Sequence, residues 1–335
     1  MKLVCMPDKA PRPLAFWLAM EEWLASHMAA GSDSEYFFIW QPAQTTVIIG
    51  RNQMLDREVN TEYCLRHGID LVRRKSGGGA VVSDSGNMML SYISSRHNTV
   101  EGTYSSYTSM VVRSLRLLGL DASDNARNDI LIGGRKVAGN SYYRTAGGIS
   151  IVHGTMLWDF NAELMGKTLT PPTSKLQSHG VGSVSSRVTS VKEHLPDLTI
   201  DRLRQHLLDT IPDETDCLTL TPSEVEEIDG LSRLNYNQTW LESKNPPGQL
   251  AASGRIDGVG ELSMFVELDK GLVSDICLRG DFMDGGNASD EIAKALKGKP
   301  LRPNEVRTAL ESIDLPAVIS GLTAEKLAAL IFETE

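Results

Sequence analysis

Apolar side chains recur at helical spacing near the start of the chain. Pro13 and the run "LAFWLAMEEWLASHMA" predict a helix over roughly residues 13 to 29, with proline in its first turn. Two short β-rich runs follow, "EYFFIWQ" and "TTVIIG". They are separated by "PAQ" and read as an adjacent strand pair ending at Gly50. "NTEYCLRHG", residues 60 to 68, begins at a capping asparagine and stops at glycine, as a short helix does. "DLVRR", "GAVVS" and "NMMLSYI" read as strands around three glycines, and "VEGTYSSYTSMVVRSLRLLGL" reads as a long amphipathic helix ending at Gly119. Residues 128 to 158 add strands, and residues 201 to 211 add a helix.

The pattern changes after "LESKNPPGQ", residues 241 to 249, whose prolines and glycine mark a linker. Beyond it, "LAASGRI", "GELSMFVELD" and "LVSDICLRGDF" alternate like strands, and helices follow near 288 to 297, 303 to 312 and 323 to 333. The expected class is therefore α/β in the broad sense (α+β): a large mixed-sheet domain over residues 1 to 245 and a small α+β unit over 246 to 335.

A net charge of −10 argues against a general nucleic-acid binder, which needs a broad cationic surface, so any anion site must be local. No apolar run reaches the roughly 18 to 20 residues of a membrane span, and "MKLVCMPDKAPRP" lacks the apolar core of a secretion signal. No membrane partner and a cytoplasmic location are expected. Cys5, Cys64, Cys217 and Cys277 are scattered without metal-ligand spacing, and each is expected to be a small buried hydrophobe outside any disulfide framework. The seven histidines form no HExxH signature.

Candidate chemistry gathers in four places. In "LVRRKSGGGAVVSDSGNMMLSYI", residues 71 to 93, three glycines allow positive φ or close approach of a ligand to the main chain, and Arg73, Arg74 and Lys75 beside exposed N–H groups suit an anion. A tight hairpin with incidental surface arginines is the competing reading. "ARNDILIGGRKVAGNSYYR" sets Lys136 between glycine turns, with Asn128 and Asp129 on the preceding strand. A lysine so placed can neutralise charge on a transferring acyl phosphate, although a lysine in a solvated hairpin is also common. "ISIVHGTMLWDF" holds His153 within an apolar strand, where a satisfied core histidine is the usual case, and "KLQSHGVGSVSSRVTSV" is a Gly/Ser loop reaching Arg187. "NAELMGKT" has asparagine where a phosphate-binding GxxxxGK[ST] loop needs its first glycine.

In this order, the segments resemble lipoate-protein ligase with its C-terminal accessory domain, over nearly the whole chain. The family's "RRxSGGGAVxHDxGN" is met by "RRKSGGGAVVSDSGN", its "ND…GrKvsGsA" by "NDILIGGRKVAGNS", its "HGTLL" by "HGTML" and its "KGItSVrSRVtnL" by "HGVGSVSSRVTSV". "VIIGRNQ" matches an early strand and turn, and "GDFM" stands where the accessory domain carries GDFF. The sequence departs from the family at Ser83, where a histidine is usual, at Val152, before His153, and at Tyr143, which displaces an arginine to Arg144.

The resemblance implies a catalytic domain of the biotin/lipoate ligase type. Its substrates are lipoate and ATP, with Mg²⁺ arriving on ATP and Asp129 as the candidate protein ligand. Arg74, Ser76, Gly77, Gly78, Gly79 and Ala80 would line lipoate and its adenylate, with Val81 and Val82 continuing toward the nucleotide. Lys136 would be the catalytic contact to carbonyl and phosphate, and Asn128 and Asp129 would orient it. Asn87, Gly139, His153 and Gly154 belong to the same site, and Val181, Gly182, Ser183, Val184 and Arg187 would cover the adenylate.

The implied activity activates lipoate as lipoyl-AMP and transfers the lipoyl group to a lysine of an acceptor lipoyl domain. The acceptor would be a 2-oxoacid dehydrogenase E2 or the glycine-cleavage H protein. A monomer is expected, and by resemblance the accessory domain packs on the catalytic domain and moves about the "NPPG" linker. Two rivals stay open. An ATP-independent lipoyl or octanoyl transferase would need a cysteine nucleophile, and no cysteine falls within these motif segments. A non-catalytic lipoate or lipoyl-domain binding protein is the other.

Overall fold

The structure is a computed structural model and describes residues 1–29, 31–96, 99–125, 129–170, 187–211, 217–243 and 248–332. Asn128, the loop residues Val181 to Val184 and the linker residues 244–247, where the 245/246 boundary was expected, lie outside the described residues.

An eight-stranded mixed sheet forms the centre of the larger part. Its strands in chain order are β1 (Lys2–Cys5), β2 (Glu35–Trp40), β6 (Asn87–Ser94), β7 (Ala122–Asp124), β8 (Asp129–Ile132), β9 (Arg135–Arg144), β10 (Ser150–Leu157) and β11 (Cys217–Thr219). They lie in the order β11-β1-β2-β6-β10-β9-β8-β7. A smaller sheet, β4-β3-β5, is built from β3 (Thr46–Ile49), β4 (Asp70–Arg73) and β5 (Val81–Ser83). The expected pairing of "EYFFIWQ" with "TTVIIG" is thus corrected. β2 pairs with β1 and β6, whereas β3 pairs with β4 and β5. Both runs are apolar enough for a sheet interior, and local sequence does not choose between partners.

Side chains alternate across the large sheet, so each strand serves two cores. Phe38, Trp40, Met89, Ile93, Tyr143 and Ile151 face helix α1 (Leu14–Ser26). Phe37, Leu90, Tyr92, Tyr142, Val152 and Met156 face the other layer, which includes helix α4 (Val100–Leu117). Two short helices, α2 (Leu55–Glu58) and α3 (Thr61–Arg66), cover the small sheet with α5 (Ala162–Thr168). Helices α6 (Val191–His194) and α7 (Ile200–Thr210) pack on the α4 side.

Helix α8 (Pro222–Asn235) went unread in the sequence, although "TPSE" carries its start signal. The Thr221 hydroxyl and the Glu224 carboxylate cap one another's backbone N–H groups, with Pro222 in the first turn. It packs on α1, where Trp23 Nε1 donates to Glu227 at 3.1 Å, and α9 (Gln238–Glu242) follows.

The cysteine expectation holds for the buried Cys64 and Cys277 and fails for the other two. Parallel pairing of β1 with β11 sets Leu3 against Cys217, and Cys5 and Cys217, 212 residues apart in sequence, form a disulfide. Strand pairing over that separation leaves no trace in cysteine spacing.

The accessory domain is an antiparallel sheet of β12 (Gln249–Ile256), β13 (Gly260–Asp269) and β14 (Leu272–Gly280). It is packed on helices α10 (Ala288–Leu296), α11 (Pro303–Leu310), α12 (Leu315–Val318) and α13 (Ala324–Phe332) around its own apolar core. The segment after β14 docks on the larger part. Gly280 N donates to Asn52 O (3.0 Å), Asn52 Nδ2 to Asp284 Oδ1 (3.1 Å), and Gly78 N to Phe282 O (3.1 Å). Burial pushes the Asp284 carboxyl above its usual range, with Arg51 and Asn52 opposing the shift.

Arg73 ties these pieces together. It is 1% exposed, and its guanidinium donates to the carbonyls of Gly50, Arg51, Gln53 and Leu241 at 2.6 to 3.1 Å. Burial lowers its pKa to about 10, so it stays charged at neutral pH. Arg73→Leu would take the guanidinium's donors from four carbonyls, of which Gly50 O keeps only Gln53 N, and should destabilise the fold by about 3 kcal/mol or more. Denaturant unfolding checks this, and an unchanged midpoint would show that the carbonyls do not need the guanidinium.

Candidate active site

The sheet registers build the site. Trp40 on β2 pairs with Met89 on β6, Met89 with Thr155 on β10, Thr155 with Gly139 on β9, and Gly139 with Asp129 on β8. Residues directly opposite share a face, so these five form a row across the α1 side. It is apolar at the Trp40 end and charged at the Asp129 end, roughly 19 Å away at about 4.8 Å per strand. A second row, two residues along each strand, runs Phe38, Ser91, His153 and Ser141.

A β-bulge brings the lysine to this face. Pairing steps from Ile130↔Ala138 to Leu131↔Lys136, so Val137 is extra. Val137 and Ala138 then both enter the α4-side core, and Lys136 returns to the face of Gly139. Strict alternation would have turned Lys136 away. Its Nζ lies 2.6 Å from Asp129 Oδ1, and a side chain at Gly139 would put Cβ 2.8 Å from Lys136 Cε and Nζ. Glycine therefore keeps the space the lysine occupies. The lysine side chain is 39% exposed and that of Asp129 22%, although Asp129 Oδ1 itself is buried, so the ammonium keeps an open side toward an arriving anion. The chain re-enters the described residues beside this lysine. Val188 bridges to it, Thr189 N donates to its carbonyl at 2.8 Å, and the preceding Arg187 is exposed.

The glycine loop lies over the second row. Gly78 has φ +90°, and a Cβ on Gly50 would fall 2.0 Å from Gly78 O, so the two glycine backbones meet where no side chain fits. The cations before the loop point into the protein. Arg74 is 6% exposed and donates to Ser76 Oγ (3.1 Å), Gly77 O (2.6 Å) and Gly79 O (2.8 Å). Burial lowers its pKa to about 10. Lys75 pairs with Glu22 at 2.5 Å. Beneath the loop, His153 is held between Ser76 Oγ at Nε2 (2.7 Å) and Glu21 Oε2 at Nδ1 (2.8 Å), while Ser141 Oγ donates to Gly77 O (2.7 Å).

Between loop and sheet is a cavity of about 150 Å³. Of the residues read from the sequence, Arg74, Gly78, Gly79, Ala80 and Val81 line it from the loop side. Lys136, Gly139, His153 and Gly154 line it from the sheet. Ser76 and Gly77 lie behind this wall. A Cβ on Gly77 would meet Phe282 O at 2.4 Å, so the accessory domain fills the space on its far side. Val82 points to the core of the small sheet, and Asn87 Oδ1 accepts from Asp84 N to close a turn. Leu18, Trp40, Ile48 and Met89 supply apolar lining that sequence reasoning missed. Their alternation was visible, but their register was not.

Two departures from the family pattern fall outside the lining. Val152 points into the α4-side core, and Ser83 is buried with its hydroxyl 3.6 Å from Met89 Sδ. Among the described residues, no three metal-ligating side chains cluster, and the carboxylate of Asp129 is engaged by Lys136. The cavity can take an extended carboxylic acid, its chain toward Trp40 and its carboxylate toward Lys136.

Comparison with known proteins bears on this arrangement. The family model for the lipoyl protein ligase A/B catalytic domain matches residues 13–212, and that for the bacterial lipoate protein ligase C-terminus matches residues 245–331. The Bacillus subtilis lipoate-protein ligase LplJ is 34% identical over 322 residues, covering 94% of this chain and 96% of its own.

Among solved structures, Plasmodium falciparum LipL1 in complex with lipoate has the same fold over the whole chain. Its TM-score is 0.80 at 19% identity, with 100% of this chain and 99% of that one covered. The Thermoplasma acidophilum bipartite lipoate protein ligase, described with its E2 lipoyl domain, gives a TM-score of 0.64 at 26% identity over 73% of this chain and 97% of its own. A lipoate-protein ligase A bound with ATP gives 0.59 at 24% over 72% and 98%. Matches to both a catalytic and an accessory model, and to a full-length relative at this identity, make the chain a member of the lipoate-protein ligase family.

Proposed function

We propose that this chain is an ATP-dependent lipoate-protein ligase working in two steps. A lipoate carboxylate oxygen attacks the α-phosphorus of ATP, its bond to pyrophosphate breaks, and lipoyl-AMP forms. The ε-amine of an acceptor lysine then attacks the acyl carbon, AMP leaves with the bonding pair, and the amine proton passes to solvent. Acceptors are lipoyl domains of 2-oxoacid dehydrogenase E2 type or the glycine-cleavage H protein. The archaeal relative described with an E2 lipoyl domain supports this class, and the relative bound with ATP supports the co-substrate.

The observation that carries this reading is the row from Trp40 to Asp129, which ends beside Lys136, the one lysine lining the cavity among the described residues. Its ammonium gives up Asp129 to meet the lipoate carboxylate and then balances charge growing on the α-phosphate oxygens. The loop and the sheet exclude water from the acyl carbon and hold the acid extended, so proximity supplies much of the second step. Magnesium is expected to come with ATP, and no residue of this chain is assigned to it.

Cysteine placement supports the ligase over a transferase. Cys64 and Cys277 are buried in the small-sheet and accessory parts, while Cys5 and Cys217 are joined on β1 and β11, away from β8 to β10. A variant with all four cysteines replaced by serine or alanine, shown to fold, should still form the amide. Collapse of turnover, traced to one cysteine that traps a thioester, would establish the transferase instead.

Lys136→Ala should keep the fold and lose lipoate-dependent pyrophosphate release by about a hundredfold or more, equivalent to about 3 kcal/mol of barrier. Pyrophosphate release near the wild-type rate from a folded Lys136→Ala protein would reject the assignment.

A further inference from the structure

Glu21 lies on α1 with no exposed surface, in a helix otherwise buried through apolar side chains. A buried carboxylate is costly unless each oxygen is satisfied. Its Oε1 accepts from Ser91 Oγ at 2.5 Å, and its Oε2 faces His153 Nδ1 at 2.8 Å. Neither contact is to Lys or Arg. The nearest cation along the hydrogen-bonded path is Arg74, reached through His153 and Ser76.

The partners constrain the protons on that path. Arginine can only donate, so Ser76 Oγ accepts from Arg74 Nε and meets His153 Nε2 with its remaining hydrogen or lone pair. Facing a carboxylate, which only accepts, His153 Nδ1 carries a proton and gives it to Glu21. From the other side Trp40 Nε1 donates to Ser91 Oγ at 2.9 Å, which sends the Ser91 hydrogen to Glu21 as well. Two donors therefore converge on Glu21, and only a carboxylate offers both an acceptor. A glutamine there offers one acceptor and one donor, so it can receive only one of the two donations and Ser91 or His153 must rearrange.

We propose that Glu21 is a positioning residue, which sets the proton on His153 and through Ser76 and Arg74 holds the glycine loop against the substrate cavity. Its connection with substrate rests on the ligase reading above, whereas the proton assignment and loop restraint do not. The arrangement has the order serine, histidine, carboxylate of a hydrolase triad, but Ser76 has no exposed surface and its oxygen is taken by Arg74. It therefore acts as a brace and not as a nucleophile. Arg74 also grips the carbonyls of Gly77 and Gly79, so displacing Ser76 shifts the loop's two neighbouring anchors.

The test uses the full chain labelled with ¹⁵N-histidine. Wild-type His153 should carry a proton on Nδ1, and an Nδ1 without a proton would overturn the proposal. Glu21→Gln should speed amide hydrogen exchange in residues 76–80 and raise the KM for lipoate about tenfold, with the KM for ATP held. A folded Glu21→Gln protein with unchanged exchange and an unchanged KM for lipoate would overturn it too.

Should that variant fail to fold, Ser76→Ala breaks the path at its other end. It should speed loop exchange while His153 keeps its proton on Nδ1, and unchanged exchange rejects the brace. Wild-type protein that shows this Nδ1 proton and exchange behaviour but no lipoate-dependent pyrophosphate release would support the brace and remove the ligase reading alone.

Discussion

Three consecutive glycines cannot hold a shape by themselves, because they have no side chains to pack and the widest conformational freedom of any residue. Everything around Gly77 to Gly79 compensates for that. Arg74 grips the loop's carbonyls from inside, Ser141 and the Ser76–His153 contact support it from the sheet, and the accessory domain presents Phe282 O to the N–H of Gly78. The positive charges beside the glycines thus serve the loop before they serve any ligand. A cavity wall made of main chain can then approach a substrate closely while its geometry is fixed by buried groups from four separate places: the turn after β4, strands β9 and β10, and the segment after β14.

The sheet contributes a second kind of order. Because each pairing fixes which face a residue occupies, the Trp40-to-Asp129 row follows from four registers. The bulge at Val137 is the single irregularity that matters, since it reverses the alternation just before Lys136. Gly139 completes the arrangement by leaving the lysine stem room to lie across its own strand.

Local features were legible in the sequence: α1 behind Pro13, the long α4 ending at Gly119, the strands around the glycine loop, and the α+β character of the C-terminal part. Lys136 and the loop were legible as motifs. What could not be read is non-local. The partner of β3, the join between Cys5 and Cys217 and the row of lining residues all depend on strand pairing between segments far apart in the chain. Glu21 was hidden for a different reason. In "LAMEEWLAS" nothing local marks the acidic pair as interior, and only tertiary contacts show it: Ser91 and His153 converge on Glu21, and Lys75, Asn235 and Tyr236 on Glu22. The "TPSE" cap of α8, by contrast, was readable and was passed over.

Strand β10 has one further consequence, which concerns how such a protein can drift over generations. Val152 answers only to the packing of the α4 layer, while His153 beside it answers to hydrogen-bond geometry under the glycine loop. The same holds on β9 for Tyr142 and Ser141. Neighbours along one strand are thus subject to unrelated constraints, one of volume and one of chemistry, alternating with a beat of two residues. The scaffold layer can therefore be rebuilt by ordinary exchange of apolar side chains without changing which residues face the cavity.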